Sequence, residues 1–282
     1  MTKIAALLTV HNRKNKTLEC LRRLSEQHLP EGCTLDIFMT DDGCTDGTSE
    51  AVATQFPQVN IIRGDGNLFW NRGMFRAWEA AAVKFDYDYY LWLNDDTILL
   101  QDALMSLIEE ASERPGSVIV GSAHSSVDPD KLTYGGYFAG RHILPNGYLQ
   151  KCQTFNGNIV LVSREVYRRI GNLDWTYEHA IGDLDYGWMV TRTGLHNYVS
   201  RKFRGICDKN PYPAKWVCPE VPFKERWRNY HSPLGYGQPG QLFHFNRKNF
   251  GLFKAIKVYT SNHLRLFFPW VWIGSQTKHC SI

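Results

Sequence analysis

Three observations predict an α/β chain with a mostly parallel sheet covered by helices. Short apolar runs alternate with stretches of helical periodicity across residues 1–121. Those runs are apolar at every position rather than every second one, as strands buried on both faces are. Polar clusters follow three of them directly, and open parallel sheets carry their ligand sites at the carboxyl ends of strands. A chain of 282 residues has room for one large domain or a domain plus an extension.

In chain order, residues 4–10 read as the first strand, and Leu18, Leu21 and Leu24 lie at helical spacing behind it. Residues 35–39 form a second strand, a polar turn follows, and 51–56 is a short helix. Next come a strand at 59–62, an Ala-rich helix at 74–85, a buried strand at 89–93, a helix at 102–114 and a strand at 118–120. Beyond Gly121 the rhythm loosens, and the Gly- and Tyr-rich stretch 134–148 reads as hairpins or loops. Residues 158–162 are a strand, Ser163 caps a helix reaching Ile170, and 183–193 is a helix whose first-turn acids complement its dipole. Pro and Gly make 205–240 loop-rich, with a helical piece from about Gln241.

Hydrophobic residues at 43% and charged residues at 21% exclude a disordered chain. A net charge of +4 is far below that of a dedicated nucleic-acid binder, so nucleic acid is not an expected partner. The seven cysteines have no metal or disulfide spacing and read as reduced thiols. The run at 4–10 lacks the length and the cleavage site of a signal peptide, and no stretch approaches the ~20 apolar residues of a spanning helix. The expectation is a cytoplasmic protein. Near the end, Arg265 and Lys278 flank Phe267, Phe268, Trp270 and Trp272. That composition suits a bilayer interface, a packed terminus or a dimer contact.

The strand ends carry the chemistry. The first ends in Thr9-Val-His-Asn-Arg13, the second in Asp41-Asp-Gly-Cys-Thr-Asp-Gly-Thr48 and a third in Asn94-Asp-Asp-Thr97. Unpaired carboxylates at the edge of apolar segments are costly, so Asp41, Asp42, Asp95 and Asp96 should meet backbone donors, a cation or a ligand. Either pair alone is as readily an acidic turn or a helix cap. Together they make an oxygen-rich site suited to Mg²⁺ or Mn²⁺. A dehydrogenase would need G-x-G-x-x-G after its first strand, where His11-Asn-Arg13 stands instead.

With Asn71-Arg-Gly73, Gly157-Asn-Ile-Val-Leu-Val162, Gly171-Asn-Leu-Asp174 and Gly182-Asp-Leu-Asp185, these motifs over roughly residues 4–200 resemble the family 2 glycosyltransferases of the GT-A fold. In detail they are similar to bacterial cell-surface polysaccharide transferases of the rhamnosyltransferase-like kind. The resemblance implies an inverting transfer of a hexosyl or deoxyhexosyl group from a UDP- or dTDP-sugar to a glycan or lipid-linked acceptor. It implies donor contacts from Thr9, His11, Asn12, Arg13, Asp42, Asn67, Asn71 and Asp95, with Asp42 accepting from the base ring. It further implies a divalent metal, Mn²⁺ or Mg²⁺, on Asp96, and Asp183 as catalytic base, with Asp185 and His179 as lesser candidates. Loops 67–70 and 134–148 would set specificity. Two positions depart from the family pattern: Asn94 opens the metal-binding element, and Gly182 stands where the family has glutamate. The missing glutamate sustains a rival reading, a non-catalytic nucleotide- or carbohydrate-binding protein on this scaffold. The implied division is a transferase domain at 1–204, with a nucleotide half at 1–121 and an acceptor half at 122–204. A C-terminal extension at 205–282 follows, and peripheral contact with the inner membrane is expected of the chain.

Overall fold

The computed structural model describes residues 1–209 and 214–272. Elements follow the alternation expected of an α/β chain, beginning with β1 (Thr2–Val10), α1 (Lys14–Ser25), β2 (Cys33–Asp41), α2 (Thr48–Gln55) and β3 (Val59–Arg63). Then come α3 (Phe69–Lys84), β4 (Tyr89–Leu93), β5 (Ile98–Leu99), α4 (Ala103–Glu113), β6 (Val118–His124) and β7 (Leu132–Tyr134). The Gly- and Tyr-rich stretch holds β8 (Gly136–Phe138) and β9 (Arg141–His142), followed by β10 (Gln150–Cys152), β11 (Thr154–Phe155) and β12 (Ile159–Ser163). The chain continues through α5 (Arg164–Ile170), α6 (Gly182–Arg192), β13 (Asn197–Ile206), α7 (Phe223–His231), α8 (Pro239–Phe250) and α9 (Leu252–Phe267).

The main sheet has the order β10-β13-β6-β12-β4-β1-β2-β3, with β5 beside β13 and β7 beside β6. Strands β4, β1, β2 and β3 run parallel, and β12 runs antiparallel between β4 and β6. Alternation along the strands divides the core. Ile4, Ala6, Leu8 and Val10 pack with Leu21 of α1, Val52 of α2 and Leu104 of α4 on one face. Ala5 and Leu7 meet Trp78 of α3, Val166 of α5 and Tyr186 of α6 on the other. Two buried faces require two helical layers, and the continuous apolar run of β1 follows from that.

The antiparallel β12 makes the sheet mixed; β13 was not anticipated, α3 begins at Phe69 rather than 74, and α7 forms inside the stretch read as loop-rich. β13 hides because Ser200, Arg201, Lys202 and Arg204 break its apolar pattern. Arg204 is nonetheless buried, donating to Glu110 Oε1 at 2.6 Å and Ser200 Oγ at 2.6 Å. No helix among the described residues is long and apolar enough to cross a membrane. Of the C-terminal aromatic segment, Lys278 and all else beyond residue 272 lie outside the described residues, as does Cys280.

Candidate active site

Parallel β1, β2 and β4 end on one sheet edge, which gathers residues 11–13, 42–47 and 94–97. β12 runs the opposite way, so its beginning brings Gly157 and Asn158 to that edge, and Ile159 pairs with Leu93. The N-terminus of α6 stands beside them. Gly157 N donates to Asp183 Oδ2 at 2.9 Å, and Leu184 N donates to Asp183 Oδ1 at 2.8 Å.

At the end of β1, Arg13 Nη1 donates to Asp95 Oδ1 at 3.1 Å and Asp96 Oδ2 at 3.0 Å. Asp95 is 5% exposed and also accepts from Thr17 Oγ1 at 3.4 Å. Burial, more than any neighbour, pushes the Asp95 carboxyl up to about 6, and Arg13 opposes that rise. Asp96 is more open and lies 3.7 Å from Cys207 Sγ at the end of β13. Asn94 Oδ1 accepts from the indole Nε1 of Trp70 at 2.7 Å. That amide is thereby spent on holding an aromatic ring.

Asp42 lies at the end of β2 and is 2% exposed. Its Oδ1 accepts from Gly66 N at 2.9 Å, its Oδ2 accepts from Phe69 N at 2.9 Å, and Leu68 N reaches both oxygens at 3.2 and 3.1 Å. Three backbone N–H groups, one of them shared between the two oxygens, thus hold the carboxylate. Asp42 thereby holds the turn that leads into α3, and Asn67 stands exposed on that turn. His11 Nδ1 shares a hydrogen with the Asp42 carbonyl at 2.6 Å, and Asn12 Oδ1 accepts from Thr45 N at 2.7 Å. Thr9 packs on Gly73 of α3, where an added Cβ would come within 2.0 Å of the threonine hydroxyl.

Asn71 is buried, with its Nδ2 donating to the carbonyls of Asp174 and Tyr177, each at 2.9 Å. Its Oδ1 faces Gly182 so closely that a Cβ there would lie 1.7 Å away. The position therefore admits glycine and not glutamate, which gives the departure from the family pattern a steric cause. Asp185 and Asp183 share the first turn of α6 but differ in surroundings. Asp185 is fully buried and accepts from Lys248 Nζ at 2.6 Å and Asn249 Nδ2 at 2.7 Å. Asp183 has backbone amides and no cation among its contacts, and burial pushes it up to about 6. His179, between the rings of Phe69 and Tyr236, is pushed down to about 4 by burial and by Arg13.

The segments around this edge hold unusual backbone. Asn12, Phe69, Ile181 and Tyr236 have φ of 50°, 55°, 80° and 55°, and Ala139 is the fifth such non-glycine residue described. Each costs ~1–3 kcal/mol unless its surroundings hold it, and such residues cluster where function needs a fixed geometry. Tyr236 was not anticipated from the sequence. The residue is 57% exposed; its phenol is raised by partial desolvation and by the fields of Asp183 and Asp96, with Arg13 opposing, so one side chain lies near both acidic groups. The Gly-Tyr-Gly setting at 235–237 is the signal that could have marked it. Trp70, whose ring packs on Gly157, was also missed as a support.

Among the described residues no group of three or more His, Cys, Asp and Glu is placed to hold a metal. The two hard-oxygen donors Asp95 and Asp96 draw a guanidinium between them, which marks the edge as cation-attracting. Such a pair fits a Mg²⁺ or Mn²⁺ that takes its remaining ligands from phosphate and water, the usual arrangement for Mg²⁺.

A family model described as Glycosyl transferase family 2 matches residues 6–172. No curated protein matches the chain. Among solved structures, the chain is similar to the mannosyltransferase PcManGT from Pyrobaculum calidifontis, in complex with GDP-Man and Mn2+. The TM-score is 0.56 at 14% identity, over 99% of this chain and 76% of that one. It is also similar to S. aureus TarS 1-349 in complex with UDP, with a TM-score of 0.57 at 13% identity over 96% and 87% of the two chains. At such identity the likeness is one of fold, and the fold is GT-A.

Proposed function

The chain belongs to glycosyl transferase family 2, and from that premise we propose an inverting transferase that moves a hexosyl or deoxyhexosyl group from a UDP- or dTDP-sugar, with Asp183 as general base. One observation carries this reading: Asp183 is a half-buried carboxylate held by two amides, without a cation, near the edge that bears Asp95 and Asp96. In a direct displacement the acceptor hydroxyl loses its proton as its oxygen bonds to the anomeric carbon, and the bond to the diphosphate oxygen breaks on the opposite face. A base must therefore lie across the sugar from the diphosphate. Asp183 at about 6 is largely ionised at neutral pH yet basic enough to share a proton in the transition state. His179 at about 4 is less basic, and Asp185 is committed to Lys248.

On the donor side, Thr9, His11, Asn12 and Arg13 line the end of β1, Asn67 lies on the turn held by Asp42, and Asp95 closes the edge. Asn71 supports the site from behind through the 174–178 loop. Asp96 is the residue assigned to a divalent metal, Mn²⁺ or Mg²⁺, which when bound would neutralise the leaving diphosphate. The acceptor is assigned as a glycan or lipid-linked glycan in surface-polysaccharide assembly, at the cytoplasmic face of the membrane. Residues 1–204 form the transferase domain in this reading, with 205–282 as the extension that supplies Tyr236.

The test is a panel of UDP-, dTDP- and GDP-sugars followed by nucleoside diphosphate release and by the anomeric configuration of the product. Release from a UDP- or dTDP-sugar, with inversion, is expected. Retention of configuration would refute the single displacement, and binding without turnover on any donor and acceptor would favour the rival binding protein.

A further inference from the structure

Charge is divided along this chain. Residues 226–282 contain eight Lys and Arg and no Asp or Glu, so residues 1–225 carry 24 basic and 28 acidic residues. The basic part includes α9, whose inner face is anchored by the fully buried Ala255 and Leu266. Its outer face is apolar. Leu252, Ile256 and Phe267 are 45–52% exposed, and Phe253 is 90% exposed. At 100° per residue these positions, with Tyr259 and Leu264, fall on one arc of the helix, while Lys254 and Lys257 lie beside it. The patch continues onto α7, where Phe223 stacks on Phe267 at 5.4 Å and Trp227 lies 6.3 Å from it.

An exposed aromatic and aliphatic arc bordered by lysines, in a segment devoid of acids, is complementary to a surface that is apolar inside and anionic outside. We propose that the outer face of α9, with Phe223 and Trp227 of α7, docks on an anionic lipid bilayer, laying the helix in the headgroup zone. A second copy of the chain fits less well, because an isologous contact would set the lysine-bearing, acid-free α9 faces against each other, while Glu225 of α7 is already paired with Lys215. The aliphatic members Leu252, Ile256 and Leu264 also set the face apart from a surface for duplex nucleic acid, where basic residues meet phosphates. Interfacial helices bind by apolar insertion plus attraction to anionic lipid, and each lysine near the surface contributes about fivefold to partitioning. The inference does not depend on the identity of the catalytic base.

The experiment is flotation of the full chain with vesicles of phosphatidylcholine alone or mixed with phosphatidylglycerol. Binding to the mixed vesicles, weakening with salt, is expected. Phe253→Glu and the double variant Lys254→Gln/Lys257→Gln should each lower the partition coefficient, the latter by ~10–30-fold, with unchanged melting temperature and nucleotide binding. Failure of the parent protein to float, equal binding to neutral vesicles, or undiminished binding of both variants would overturn the proposal. So would a concentration-dependent dimer that Phe253→Glu abolishes, which would assign the face to self-association.

Discussion

Asp95 and Asp183 are both raised to about 6 by burial, yet their surroundings prepare them for different work. Asp95 stands next to a second carboxylate and shares with it the guanidinium of Arg13, so the donor edge holds a pair of anions around a cation. Asp183 accepts two backbone N–H groups and has no cation among its contacts. A carboxylate balanced by a cation is suited to exchanging that cation for another. One balanced only by amides retains the capacity to take a proton. Equal acidity thus accompanies unlike surroundings, and the two roles proposed for these residues rest on their partners.

The largest effect should come from removing the proton acceptor. Asp183→Asn keeps the shape and should lower turnover by ~10²–10⁴-fold while donor affinity changes little, as single-turnover kinetics and nucleotide titration would show. In the parent enzyme, activity should fall on the acid side at about 6, where both Asp183 and Asp95 take up protons, and the residual activity of the variant should show a shallower limb that reports Asp95 alone. Stability should move the other way. The folded carboxyl keeps its proton up to about 6, whereas an unfolded aspartate loses it near ~4, so stability drains as pH rises between those values. The asparagine variant escapes that loss, so its stability should lack this fall between pH ~4 and about 6, although its Nδ2 meets one of the two N–H groups that the carboxylate accepts and lowers its stability at every pH. A variant that keeps turnover, or whose stability falls as steeply as the parent's between pH ~4 and about 6, breaks the comparison on its Asp183 side.

Within α6 the comparison can be sharpened two residues away. Asp185, fully buried, depends on Lys248 of α8, which also reaches Asp174 Oδ2 at 2.8 Å. Lys248→Met leaves a buried carboxylate with only Asn249, and should cost ~2–3 kcal/mol once the lysine's partial exposure is discounted. The melting point would drop by several degrees, while turnover of the folded fraction stays within a few fold. A loss of turnover without a loss of stability would transfer the base to Asp185. On the donor edge, Asp96→Ala should weaken nucleoside diphosphate binding in Mn²⁺ by ~10-fold, or ~1.4 kcal/mol, and leave metal-free binding nearly unchanged. Equal titration curves with and without Mn²⁺ in parent and variant would remove the metal from Asp96.

How much of this was legible follows the same line between local and distant partners. β1, β2 and β4 announced themselves because two helical layers demand apolar residues at every position. β13 did not, because the charge of Arg204 is balanced in the core by Glu110, 94 positions earlier. The carboxylates could be located from strand ends, but their roles could not, since Asp42 turns inward to amides at 66–69 and Asp183 differs from Asp185 only through Gly157 and Lys248. Gly182 read as a missing acid, whereas the structure gives it a steric reason in Asn71. Tyr236 lay in a segment without periodicity, where spacing carries no information.

The smallest effect tests the donor edge at its most exposed member. The Arg13 side chain is 49% exposed, so its pairing with Asp95 and Asp96 is worth only ~0.2–1 kcal/mol, the range of surface ion pairs. Within that range the sign is informative. If the guanidinium competes for the place a divalent ion would take, Arg13→Gln should tighten Mn²⁺ binding to the nucleotide-free protein by ~2–5-fold, measured calorimetrically or by the loss of free-ion paramagnetic signal. The same change removes the cation that holds Asp95 down, so the Asp95 carboxyl should titrate above about 6 and the gain in Mn²⁺ affinity should shrink in acid. Looser Mn²⁺ binding in the variant would mean that the arginine instead positions the two carboxylates for the ion. The donor edge would then be a preorganised site rather than one occupied by its own counterion.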